Sequence, residues 1–278
     1  MNDARLWILW LPIGLFCLMV AATLAGQRMA LVRSRRADAE APVGAGAIDA
    51  AVLGLLGLLI AFWFSSAGTR LDMRRTLIVE EANAIGTAWL RLALLPQDVQ
   101  PVVRGLFREH VDVRLEQAPA SPPETSKRLA ARADEVQSAI WRQAVDAAPR
   151  CASDQAAAIL LSSLNDMFDA AARQRAAHDA HTPTLILVLV LVVGAFSGLL
   201  AGYDMGSRGA FNWLHAIAFA IVVSLTVWVI YDLEMPRYGL IRVDNYDHLL
   251  RDLRDDFAAS EARATLLSAF PCLRCGLG

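Results

Sequence analysis

Lysine is all but missing from this chain: of its 26 Lys and Arg residues only Lys127 is a lysine. Cysteine is scarce as well. Cys17, Cys151, Cys272 and Cys275 are too few and too scattered across 278 residues for a disulfide framework. Neither sign of charge dominates, with a formal net charge of −2 and a pI near 6.2. No basic stripe alternates with aromatics, which excludes nucleic acid as an expected partner. There is no phosphate-binding P-loop, and Gly44-Ala45-Gly46 follows no strand pattern, so a nucleotide site has no support. Internal repeats and period-two strand patterns are also lacking.

Catalytic and metal constellations are equally thin. His178-Asp179-Ala180-His181 places two imidazoles at helical spacing, but with no third ligand nearby it reads as a solvated helix end. Cys272-Leu273-Arg274-Cys275 is a lone CxxC at the extreme C-terminus and reads as tail. Glu80 and Glu81 are adjacent, so on a helix they point about 100° apart and do not pair as acid and base. With no assembly of nucleophile, base and metal, no catalytic residue, cofactor or metal is expected, and the chain reads as a non-enzyme.

What is abundant is apolar residue, 56% of the chain at a mean hydropathy of +0.40, gathered into a few long runs. That is the profile of an all-α polytopic membrane protein. Four spans are expected. Leu6 to Ala25 has twenty residues without a charge, enough to cross the hydrocarbon layer. A signal peptide ending at Thr23-Leu24-Ala25 is the rival reading, but the apolar core is long for one and another span follows closely. The second span runs from 50 to 68, with Asp49 placed to cap it. The third covers 185–203 after the helix-start signal Thr182-Pro183. The fourth covers 210–231, with Asn212 and His215 in its first turns, read as groups reaching headgroups or water.

Residues 69–184, between spans two and three, form a charged and strongly periodic block, and 232–278 a C-terminal tail. Leu71, Ile78, Ala82, Ile85, Trp89 and Leu92 fall on one helical face, so the second span should continue beyond the lipid as one amphipathic helix. Further stripes are Val102, Leu106, His110 and Val113; Leu129, Ala133, Val136, Ile140 and Ala144; and Leu160, Leu164, Met167 and Ala171. Between the first two, Ser121-Pro122-Pro123-Glu124 has capping-box spacing.

Two features of the second helix bear on function. Thr76, Glu80, Asn83 and Thr87, spaced four, three and four, lie opposite the apolar face; they read as a solvated face or as the lining of a conduit. Within the span, Ile60 and Phe64 sit one above the other with Leu56 below, either as ordinary packing helped by Gly54 and Gly57 or as a constriction around an axis. Arginine counts near span ends leave orientation open. Eight lie on the side of the termini against five opposite, and short loops alone reverse this to three against five.

The stretch GLLIAFWFSSAGTRLDMRRTLIVEEANAIGTAWLRLALLP, Gly57 to Pro96, resembles the signature of the bestrophin-like family of bacterial and plant membrane proteins. YDLEMPRYGLIRVD, Tyr231 to Asp244, resembles that family's motif after its last span. The resemblance implies an integral membrane protein with a helical insert between spans two and three. By analogy to bestrophins it implies a homo-oligomeric anion pore, with chloride as a candidate ion. The neck role on the second span would then fall to Ile60 and Phe64, although Trp63 and Ser65-Ser66 depart from a repeated phenylalanine neck. It further implies a bacterial inner membrane with termini and helical block in the cytoplasm. No acidic cluster reads as a calcium clasp, and Glu80 facing a pore would oppose anions. The alternative is a non-conducting membrane scaffold or sensor whose helical block binds a partner protein.

Overall fold

A computed structural model of the chain describes residues 2–34, 45–117, 123–179, 183–209, 211–235 and 248–269, and every regular element among them is helical. Helix α1 spans Asn2–Ser34, α2 Ala45–Arg91, α3 Gln100–Gln117, α4 Pro123–Ala147, α5 Asp154–Asp179, α6 Thr184–Ser207, α7 Trp213–Glu234 and α8 His248–Ala269. Short 3-10 turns at Leu92–Leu94 and Ala148–Arg150 follow α2 and α4. Helices α1, α2, α6 and α7 are long and apolar enough to cross a bilayer, so the all-α polytopic class is the one observed.

The second span does continue as one helix. No proline interrupts residues 45–91, and the α-helix ends only in the 3-10 turn that precedes Pro96. The helix starts at Ala45, earlier than expected, so Asp49 lies inside its first turns and is not its cap.

By contact the chain divides into two compact units, Met1–Leu71 with His181–Ile241, and Asp72–Ala180 with Arg242–Gly278. In the first, α1 packs along α6 and α7. The α1–α6 seam is built on glycine. Gly194, Gly198, Gly202 and Gly206 recur every fourth residue on the buried side of α6. A Cβ at Gly202 would lie 1.9 Å from the Thr23 carbonyl oxygen, and one at Gly26 of α1 would lie 2.0 Å from the Leu199 carbonyl oxygen. In lipid there is no hydrophobic drive between helices, so backbones brought this close by small residues supply the attraction as dispersion contacts. At the start of α7, Asn212 caps the helix. Its Oδ1 accepts from the Leu214 and His215 N–H groups at 3.0 and 3.4 Å.

The second unit is an ordinary water-type core. Ile85 and Leu92, Phe107, Ile140, Leu160, Leu164 and Met167 are fully buried in one cluster, each contributing roughly 1.5–3 kcal/mol. The stripes on α4 and α5 are buried as their spacing predicts. On α3 the face is shifted by one: Val102 is exposed, and Val103 and Phe107 point inward with His110, Val113 and Arg114. Turning the larger Phe107 inward buries more apolar area than Leu106 could. In the stretch read as tail, α8 inserts Leu250 and Phe257 into this core, with Phe257 stacked on Trp89 at 3.9 Å between ring centroids.

Candidate functional site

Helix α2 has one side turned to its own chain and one side open. In the span, Leu56, Trp63, Ala67 and Leu71 are buried; farther on, Arg74, Ile78, Glu81, Ile85, Ala88 and Leu92 continue the buried side. Ile60, four residues past Leu56 and three before Trp63, is half-buried on that side, and Phe64 is half-exposed at its border. Thr76, Glu80, Asn83 and Thr87 are all exposed, each two residues past a buried position. At 100° per residue Ile60 and Thr76 project about 160° apart, so the neck pair and the polar row do not share a face. The Thr76 hydroxyl donates to the Asp72 carbonyl at 3.0 Å, and the Glu80 carboxylate has the Arg173 guanidinium 4.0 Å away.

Near the end of the apolar part of α2 and at the end of α7, Arg70 and Glu234 form an ion pair. Arg70 Nε donates to Glu234 Oε1 at 3.2 Å, Nη2 pairs with the same oxygen, and Nη1 donates to the Ser66 hydroxyl at 2.7 Å. Glu234 is buried, and so is Asp232. Arg70 lies in the Gly57–Pro96 stretch and Glu234 in the Tyr231–Asp244 stretch, so the two motifs meet in one contact. Neither partner is evident from spacing, because 164 residues separate them. The sequence shows only that each lies among the first charges past an apolar run.

Four residues along the next turn, Arg74 is buried and its Nε donates to the Ala177 carbonyl at 3.1 Å. That carbonyl is in the last described turn of α5, where a guanidinium opposes the negative pole of the helix.

The second polar cluster is deeper. Arg114 of α3 grips Glu81 of α2 through two parallel bonds, Nε to Oε1 at 2.5 Å and Nη2 to Oε2 at 2.7 Å, and its Nη1 donates to Gln117 at 2.9 Å. Both partners of the ion pair are buried. The sequence reading separates Glu80 from Glu81 in direction but does not find this role for Glu81. One turn before Arg114 sits His110, fully buried, neither ring nitrogen with a hydrogen-bond partner among the described residues. Burial pushes its imidazole down to about 4; the nearby Glu81 carboxylate works against this, while Arg114 and Arg175 reinforce it.

A neutral His110 makes the fold acid-sensitive. The unfolded chain takes up a proton near the ordinary value of 6.5 and the folded one only near 4, so stability is full above about pH 6.5 and is lost as pH falls toward 4. The expected loss is up to about 3 kcal/mol. Thermal midpoints of the purified protein between pH 7.5 and 4.5 should fall more steeply for wild type than for His110→Gln. Equal slopes would show that His110 does not set the acid limit.

Among the described residues no group of three or more His, Cys, Asp or Glu is arranged to hold a metal ion. The side chain of His178, and residues His181, Ser121, Cys272 and Cys275, lie outside what the structure describes.

No curated protein and no solved structure matches the chain. The family model of the Bestrophin-like domain matches residues 14–246, a range that takes in the four spans from midway along α1, the helical insert and both motif stretches. With that match over most of its 278 residues, this multi-pass membrane protein belongs to the bestrophin-like family.

Proposed function

We propose that the protein is a homo-oligomeric ion channel, selective for anions such as chloride, in which α2 of each copy lines the conduit. The observation that carries this reading is cover. In the apolar window of α2 only 11% of residues are buried by the chain itself, against 28%, 28% and 33% in α1, α6 and α7. The span that the family likeness assigns to an axis is the one its own chain leaves most open. Exposed hydroxyls at Ser65, Ser66 and Thr69 distinguish that open side from a purely lipid-facing one.

In this reading bulky apolar side chains of α2, for which the sequence nominates Ile60 and Phe64, narrow the conduit and gate it by dewetting. Thr76, Glu80, Asn83 and Thr87 line the wider part. Arg173 beside Glu80 offsets part of the repulsion that a bare carboxylate would exert on an anion, but at this exposure only weakly. The protein would sit in a bacterial inner membrane with its helical unit in the cytoplasm, and its role would be transport without catalysis.

Chloride efflux from liposomes holding the purified protein is the test. Wild type should exceed empty liposomes, and Glu80→Gln should raise the flux. No flux from protein shown to be folded and inserted would sink the channel. A partner-binding scaffold is then the reading left standing. It has one observation in its favour, a groove of about 590 Å³ between α4 and α5 where Trp141 and Phe168 lie among Asp134, Gln137 and Arg142.

A further inference from the structure

We infer that the narrowest point of the conduit is made by Phe62, with Leu58 about a turn before it and Ser65 and Thr69 after it, and not by Ile60 and Phe64; this rests on the reading of α2 as the lining helix. Ile60 lies amid the buried positions Leu56, Trp63 and Ala67, and its own chain half covers it. A side chain directed at its own subunit does not face an axis shared between subunits. Phe64 stands at the border of the same side, 49% exposed, whereas Phe62 is 66% exposed and Trp63 only 4%.

The open line of the helix has a definite chemistry. Leu58, Ser65 and Thr69 each lie two residues past the buried Leu56, Trp63 and Ala67, and the same offset relates Thr76, Glu80, Asn83 and Thr87 to Arg74, Ile78, Glu81 and Ile85. Read along α2 this line passes from leucine and phenylalanine to hydroxyls, an amide and a carboxylate, with the apolar Met73 and Leu90 at the same offset from Leu71 and Ala88. A conduit that opens from an apolar constriction into water fits a mainly polar lining on its wide side. On α6 the exposed large residues Leu185, Val188, Val192 and Phe196 are apolar instead.

Beside this line runs a strip of exposed small residues, Ala47, Ala50, Gly54, Gly57 and Ala61, at steps of three and four. A Cβ at Gly54 or Gly57 would meet nothing within 4 Å. Glycine inside a helix is less stable than alanine, and nothing among the described residues requires these two. Close approach by a helix of a second copy does require them. Phe62 lies about 80° around α2 from Gly54, so a neighbouring α2 seated on the small strip leaves Phe62 turned to the axis.

The test uses the full chain with Cys17, Cys151, Cys272 and Cys275 replaced by alanine, carrying Ile60→Cys, Phe62→Cys or Phe64→Cys, in chloride-loaded liposomes. Phe62→Cys should react with a charged, membrane-impermeant thiol reagent several-fold faster than the other two, and reaction should bring flux down to background. Phe62→Ala on the native-cysteine chain gives a second reading, an increase of several-fold in flux where Ile60→Ala changes it little. If Phe64→Cys or Ile60→Cys reacts and blocks while Phe62→Cys stays silent, the inference falls and the channel stands. Flux with all three unreactive also overturns it. No flux in any variant, wild type included, removes the channel and this inference together.

Discussion

Gly202→Val should abolish the folded protein. A Cβ there would come within 1.9 Å of the Thr23 carbonyl oxygen and 2.9 Å of the Thr23 Cα, both backbone atoms that no rotamer change can move. Helices α1 and α6 would have to separate along the seam, losing the close dispersion contacts that hold them in lipid. Overpacking ordinarily costs about 1–3 kcal/mol, and a backbone clash at this distance should exceed it. Gly26→Val should behave likewise, because its Cβ would meet the Leu199 carbonyl oxygen at 2.0 Å. Gly198→Ala should cost less, its nearest neighbours being the Met19 carbonyl at 3.1 Å and the Thr23 hydroxyl at 3.2 Å. Gly14→Ala, on α1 with nothing within 4 Å, is the control and should leave stability unchanged or slightly raised. Thermal midpoints in detergent should therefore rank Gly14→Ala first, then Gly198→Ala, with Gly202→Val and Gly26→Val too unstable to recover as monodisperse protein. Recovery of Gly202→Val at the wild-type midpoint would mean that the seam is not formed as described.

The seam also shows what the sequence can and cannot disclose. Glycines at 194, 198, 202 and 206 are visible as a four-residue repeat, but most positions in a span are apolar, so nothing in the pattern names α1 as the partner. Outside the spans water supplies the contrast. The α4 stripe from Leu129 to Ala144 and the α5 stripe from Leu160 to Ala171 are legible because charged residues fill the other faces. On α3, Val102 and Val103 stand side by side, and hydropathy alone does not choose between them; Phe107 four residues after Val103 does. For α2 the periodicity finds the buried face of Leu71 to Leu92, but hydropathy does not fix on which side of the span Ile60 and Phe64 lie. Inside the span there is no polar residue between Asp49 and Ser65 to fix which side is which. The family likeness reads correctly from its two motif stretches. That Arg70 of one stretch grips Glu234 of the other is a long-range pairing that no local pattern encodes.

The same holds for Glu81 and Arg114, and here the expected effect is large. Glu81→Gln should destabilise the helical unit by about 3–5 kcal/mol, because it removes the Glu81 countercharge from the buried Arg114 guanidinium. Arg114→Met should cost a similar amount by stranding the carboxylate. Burying either charge alone is the expensive step, and the pair repays it only while both are present. The double variant Glu81→Leu with Arg114→Met should therefore recover most of the loss, since an apolar pair of similar volume is often neutral or better in such a place. Unfolding midpoints of wild type, Glu81→Leu, Arg114→Met and the double variant in detergent form a double-mutant cycle, and a coupling of several kcal/mol is the expected result. Additive losses in the double variant would mean that the two side chains act separately, against the bidentate geometry of 2.5 and 2.7 Å. His110 gives an independent reading of the same site, because its ring lies near both partners. With Glu81 neutral, the charge that favours the imidazolium is gone while Arg114 and Arg175 still oppose it, so the His110 proton should be bound only at still lower pH in Glu81→Gln. An imidazole titration by NMR that is unchanged in that variant would place Glu81 too far from the ring to act on it.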